Sequence, residues 1–167
     1  QGDGKLYYFW VAEGISSDGA YVEEDSYLKV RRAFYDRNGR RVFGKTFEQN
    51  DLIVVKLTIQ NTFDSYVDNV VIFDILPAGF EIENPRIDEV SGTDWIDDQS
   101  FPQYRDIRDD RINLYVTAGN KPKHYYYVVR AVSLGDFKMG PVGAECMYNP
   151  EYHSYHGGGS VRVSKSN

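Results

Sequence analysis

At 167 residues and 41% hydrophobic, the chain is long enough for one sizeable core, short for two, and too apolar for a disordered tail. A net charge of -6 argues against nucleic acid, because phosphate binding needs a basic face, and no apolar run approaches the roughly 20 residues of a membrane helix. The single cysteine excludes an internal disulfide and leaves the compartment open.

The opening, Gln1-Gly2-Asp3-Gly4, carries no initiating methionine or signal peptide. That is the expectation for a fragment or processed piece whose targeting sequence lies outside it. Fourteen tyrosines and nine phenylalanines suit pleated, half-buried surfaces, and sustained helical periodicity is missing, so the bulk reading is all-β. The run from Leu6 to Ala12 (LYYFWVA) is a strand candidate, followed by an Asp18-Gly19 turn. Leu28, Val30 and Phe34 alternate with charged and small residues before Asn38-Gly39, the strongest short hairpin signal. The clearest strand is DLIVVKLTIQNTF, with Ile53, Val55, Leu57 and Ile59 on one face and Lys56, Thr58 and Gln60 on the other. In VDNVVIFDIL the residues Val71, Phe73 and Ile75 alternate, and Leu76-Pro77-Ala78-Gly79 closes the run before FEIE returns.

From Glu81 to Asp110 the chain holds ten carboxylates against three arginines, a long polar excursion with one short helix expected between 85 and 110. Strands resume at RINLYV, HYYYVVRAV, FKMGPVGAECMY and, past a glycine-rich bridge, SVRVS. Strands at this spacing, with turn chemistry between them, suggest a single antiparallel β-sandwich over residues 1–167.

Chemistry-bearing clusters each have a plainer explanation. His153 and His156, with Glu145, Cys146 and Glu151 near, could hold zinc, yet positions 153 and 156 of a strand face opposite ways. Asp94, Asp97, Asp98, Asp106, Asp109 and Asp110 could attract calcium or supply a glycosidase pair, but their spacing matches no calcium loop and a solvated acidic loop explains them. In RDDR, cross-strand pairing of Arg108 and Arg111 with Asp109 and Asp110 explains the motif without catalysis. Cys146 lacks an arguable base and orienting partner, so burial is its expected state. Tyr125, Tyr126 and Tyr127 could offer a sugar-stacking platform, but alternation sends Tyr126 away from its neighbours and favours core packing. No metal or other cofactor is expected.

Six segments then occur in order: LYYFWVAEG, VRRAFYDRNG, DILPAGFEIENPR, RDDRINLYV, YVVRAV and AECMYNPE. Together they resemble the C-terminal MG10 domain of bacterial α2-macroglobulins across nearly the whole length. The resemblance implies a non-enzymatic β-sandwich within a large envelope protein that traps proteases, facing the periplasm and in many cases lipid-anchored through an N-terminus outside this chain. A protease cuts a bait segment, the protein rearranges, and a thioester in another domain acylates a lysine of the protease. The thioester motif C-x-E-Q is absent from this chain, the nearest imitation being Thr46-Phe47-Glu48-Gln49. What the resemblance assigns here is a locking loop, in which Met147 and Tyr148 cover the thioester before bait cleavage. Glu145, Asn149, Pro150 and Glu151 are then loop supports, Pro150 stiffening the turn and biasing Asn149 to an extended shape. The implied partners are neighbouring domains of the same chain and, through the full-length protein, proteases. The segment YHSYHGGG departs from the family pattern. The competing readings are an Ig-like adhesion module, since Leu-Pro-x-Gly closes strands in bacterial surface repeats too, and a carbohydrate-binding module suggested by the aromatic count.

Overall fold

The computed structural model describes residues 5, 7–11, 22–63, 66–83 and 93–166. In chain order its strands are β1 (Glu24–Ser26), β2 (Leu28–Tyr35), β3 (Arg41–Val42), β4 (Thr46–Glu48), β5 (Leu52–Asn61), β6 (Val67–Ile75) and β7 (Phe80–Ile82). They continue with β8 (Tyr104–Ile107), β9 (Arg111–Ala118), β10 (Lys123–Ala131), β11 (Gly135–Met139), β12 (Val142–Cys146), β13 (Asn149–His156) and β14 (Gly159–Ser164). No helix occurs among the described residues. The fold is all-β, as the composition and spacing require.

A six-stranded sheet, β1-β13-β12-β6-β9-β8, faces a five-stranded one, β3-β2-β5-β10-β7. Both are antiparallel throughout. A three-stranded sheet, β11-β14-β4, adds the parallel pair β14–β4 and sends Phe47, Met139, Val161 and Val163 into the same core. Strict alternation puts Ile53, Val55, Leu57 and Ile59 of β5 in that core with Leu28, Val30 and Phe34 of β2.

Three expectations are corrected. Tyr7–Val11 forms no strand; those five residues are each at least 74% exposed, and Leu6 and Ala12 lie outside the described residues. In β6 the buried face carries Val70, Ile72 and Asp74, while Val71 and Phe73 are half-buried and Ile75 is exposed. A bulge between Val67 and Val70, with Asn69 at φ 56°, resets the parity, and a charged residue occupies a core position. The run FKMGPVGAECMY breaks at Gly140-Pro141 into β11 and β12, which belong to different sheets.

The core face holds one ionic knot. Arg32 pairs with Asp74, Tyr127 Oη donates to Asp74 Oδ2 at 2.7 Å, and Arg32 Nη2 donates to the carbonyls of Gly140 (2.8 Å) and Gly157 (2.9 Å). Arg32 and Tyr127 belong to one sheet and Asp74 to the other, so the knot joins them.

The short helix expected between 85 and 110 is not present over 93–110, and 84–92 lie outside the described residues. Instead the segment around Trp95 covers the outer face of the five-stranded sheet. Val54, Tyr126 and Val128 are buried there beneath Tyr35, Leu52, Trp95 and Ile96. Trp95 Nε1 donates to the Arg37 carbonyl at 3.1 Å, and Lys56 Nζ donates to Asp98 Oδ2 at 2.7 Å. That covering explains why the outward-pointing Tyr126 is as buried as Tyr125 and Tyr127.

Candidate functional site

The strands β12 and β13 form a hairpin whose tip is the two-residue turn Met147-Tyr148, closed by the pairing of Cys146 with Asn149. Both side chains point into solvent, Met147 at 53% and Tyr148 at 79% exposed. Water around a thioether chain and a phenol ring costs free energy that burial against a partner would recover. The tip is nonetheless well anchored. Met147 N donates to the Asn69 carbonyl at 2.9 Å, and the buried Cys146 Sγ lies 3.5 Å from the Asp68 carbonyl.

The neighbouring residues fix the turn from below. The pairing jumps from Glu145–His153 to Cys146–Asn149, so Pro150, Glu151 and Tyr152 bulge out of β13. Proline fits there because a bulged position needs no N–H for the ladder. Asn149 Oδ1 accepts from Glu151 N at 3.1 Å, and His153 Nδ1 meets the Pro150 carbonyl at 2.8 Å. Glu145 accepts a hydrogen bond from Tyr155 Oη. Burial raises the Tyr155 pKa, and the Glu145 carboxylate raises it further. Glu145 thus ties the hairpin to itself, whereas Glu151 is exposed and contributes its backbone N–H. Tyr155 was missed by sequence reasoning; its position diagonal to Glu145 follows only from the bulged register.

The other clusters come apart. His153 Nε2 lies 3.5 Å from Glu24 and His156 Nε2 lies 3.4 Å from Glu23, on separate glutamates. Burial, with the Arg31 charge beside it, lowers the His156 pKa. Among the described residues no group of three or more His, Cys, Asp or Glu side chains comes together to hold a metal. The aspartates of the polar excursion find separate partners, Asp98 with Lys56, Asp106 with Arg108 and Asp110 with Arg111. These arginine pairs are local to the β8–β9 turn, where Arg108 N donates to the Arg111 carbonyl, and the cross-strand pairing expected of RDDR is corrected accordingly. Tyr125, Tyr126 and Tyr127 are all buried, so none is available as a stacking platform, and burial pushes the Tyr125 phenol up to about 12. A groove of about 760 Å³ lies at the far end of the sandwich, between Leu76, Ile82 and Asp109, away from the Met147-Tyr148 tip.

The family profile described as "Bacterial Alpha-2-macroglobulin MG10 domain" matches residues 28–151. The chain belongs to the bacterial alpha-2-macroglobulin family. Its MG10 match ends at Glu151, so the hairpin tip falls inside it and the histidine- and glycine-rich stretch from Tyr152 onward falls outside. The chain is 31% identical over 139 residues to the alpha-2-macroglobulin of Pasteurella multocida, covering 83% of this chain and 7% of that protein. It is 29% identical over 163 residues to a Xylella fastidiosa alpha-2-macroglobulin, covering 90% of this chain and 10% of that one. Among solved structures, Salmonella alpha-2-macroglobulin reacted with methylamine superimposes with a TM-score of 0.77 at 26% identity, over 87% of this chain and 10% of that one. The MG10 chain therefore spans a tenth or less of the relatives it matches.

Proposed function

We propose that this domain is the latch of a protease-trapping alpha-2-macroglobulin, its Met147-Tyr148 tip covering a thioester carried by a neighbouring domain of the same longer protein. The observation that carries the reading is the tip itself: two large, largely apolar side chains exposed on a hydrogen-bonded two-residue turn. A thioester is lost to water and small amines, so a resting protein must exclude them. Methionine conforms to an irregular surface, and tyrosine adds a flat ring with a polar tip. The rigid base formed by Asn149, Pro150 and the Glu145–Tyr155 bond lowers the entropy cost of presenting them. The methylamine reaction of the Salmonella relative supports a nucleophile-sensitive group in that family member. The same reading gives the domain no catalytic role of its own and the full protein a place in the bacterial cell envelope or periplasm.

The experiment replaces Met147 and Tyr148 together with alanine in the full-length protein and follows free thiol release with methylamine. Each lost side chain removes roughly 1.5–3 kcal/mol of burial, so release should accelerate about tenfold or more. Because both side chains are exposed in this domain, its β-type circular dichroism and melting temperature should hold. Unchanged release would sink the shielding role.

A further inference from the structure

The Met147-Tyr148 turn is one point on a closed apolar perimeter. Beside it, the bulge of β13 carries Tyr152, whose ring centroid lies 5.1 Å from that of Tyr27. Tyr27 in turn meets Phe63 edge-on at 5.7 Å. Thr62 N donates to the Tyr27 carbonyl and Asn61 N to the Gly119 carbonyl, both at 2.8 Å, which joins this aromatic row to the β9–β10 connection. The Tyr66 ring lies over Gly119 so closely that a Cβ there would stand 2.7 Å from Tyr66 Cε1. From Tyr66 the chain enters β6, and Asn69 closes the circuit by accepting from Met147 N. Tyr27, Phe63 and Tyr66 are 45%, 56% and 75% exposed. None of the six side chains on this perimeter carries a formal charge, and nearby Asp68 is tied sideways by Thr117 Oγ1 at 2.7 Å.

Backbone conformation adds a second, independent observation. Tyr27 sits at φ 56°, in the left-handed region that bulky L residues avoid. Asparagine or glycine would fill that position at less cost, yet the strained residue is a large ring presented outward on the perimeter. Strain of this kind persists where the side chain is wanted in that place.

We propose that this whole end of the sandwich is one docking face for the thioester-bearing domain of the same longer chain. Tyr27, Phe63 and Tyr66 then form a water-excluding rim around the Met147-Tyr148 tip; the occupant's identity rests on the latch reading above. Contiguous exposed apolar surface marks an interaction site. The relatives place nine-tenths or more of their length outside the matched region, so the surface that would cover it is tethered in cis at an effective concentration of ~mM. A rim of near-neutral contacts that keeps water from a central anchor is the arrangement that gives small interfaces their strength.

Hydroxyl-radical footprinting of the resting full-length protein tests this, with each residue's oxidation rate normalised to the urea-unfolded protein. Water-excluded rings at Tyr27, Phe63 and Tyr66 should oxidise at least about threefold more slowly than when unfolded. Less than threefold slowing at these three, with Met147 and Tyr148 protected, overturns the rim and leaves the latch standing. Protection of the three with Met147 and Tyr148 reactive supports an occupied end and fails the latch. Reactivity at all five overturns both. Protection that disappears on about a hundredfold dilution would assign the face to a second copy and overturn the cis occupant, because a tethered domain does not respond to concentration.

Discussion

Arg32, Asp74 and Tyr127 put charge where the alternation of β6 calls for a hydrophobe. Both ionic side chains are almost completely buried, and the guanidinium also lies 5.6 Å from the Phe34 ring centroid. Burial raises the Asp74 pKa, while the Arg32 charge and the Tyr127 hydroxyl oppose that rise. A buried pair of this kind gains little over a well-packed apolar replacement, but removing one partner strands the other charge. Asp74→Asn keeps the shape and leaves Arg32 unneutralised, so urea denaturation should show a loss of about 3–5 kcal/mol. The double variant Arg32→Met with Asp74→Leu should recover most of it. A loss under about 1 kcal/mol for Asp74→Asn would mean that water reaches the pair. The specificity gained is that of sheet pairing, since the knot forms only when β2, β6 and β10 are in register.

At the scale of elements, the three-residue β1 is the short edge strand of the six-stranded sheet, and side chains hold it there. Asp25 Oδ1 accepts from the fully buried Ser154 Oγ at 2.6 Å, and Asp25 is bidentate with Arg31. The Arg31 guanidinium above all, and then Ser154, hold the Asp25 carboxyl at about 2 against an ordinary 3.8, burial opposing them. A depressed carboxyl stabilises the fold above its unfolded value and loses that contribution as pH falls through its folded value. Both partners are about a third exposed, so Arg31→Met should cost only about 1 kcal/mol at pH 6. The difference from the parent chain, read from urea midpoints, should close between pH 4 and pH 2; a constant gap would assign Arg31 to packing alone. Much at this scale was legible: the alternation of β5 placed Ile53 to Ile59 correctly because one face is buried and the other polar. The face of β6 was misread because a bulge and a buried aspartate are invisible to a pattern that counts hydrophobes. Met147 and Tyr148 came from resemblance, since nothing in a Met-Tyr pair distinguishes a hairpin tip from a strand end. Tyr27, Phe63 and Tyr66 gave no signal, because strand pairing brings their separate loops together and a tyrosine does not advertise a left-handed backbone.

For the molecule as a whole, the balance between net charge and exposed apolar surface governs how it behaves alone. A charge of -6 opposes association, but Tyr7–Val11 offers five uncharged apolar residues of high β propensity in a row. The run is outside every strand and both core clusters, so it adds little to folding stability while presenting a segment of the kind that pairs with other chains. In a longer protein the same run has other domains to pack against. Replacing Phe9 and Trp10 with serine in the separate chain should therefore shift the species seen by sedimentation toward monomer at ~100 μM and reduce binding of an apolar dye. The melting temperature should move by no more than about 2 °C, because the two rings contribute nothing to the described core. A large fall in melting temperature would instead show that the run packs on its own domain, and unchanged association would hand the sticky surface to the Tyr27–Phe63–Tyr66 end, where Phe63→Ser would then be the substitution that restores the monomer.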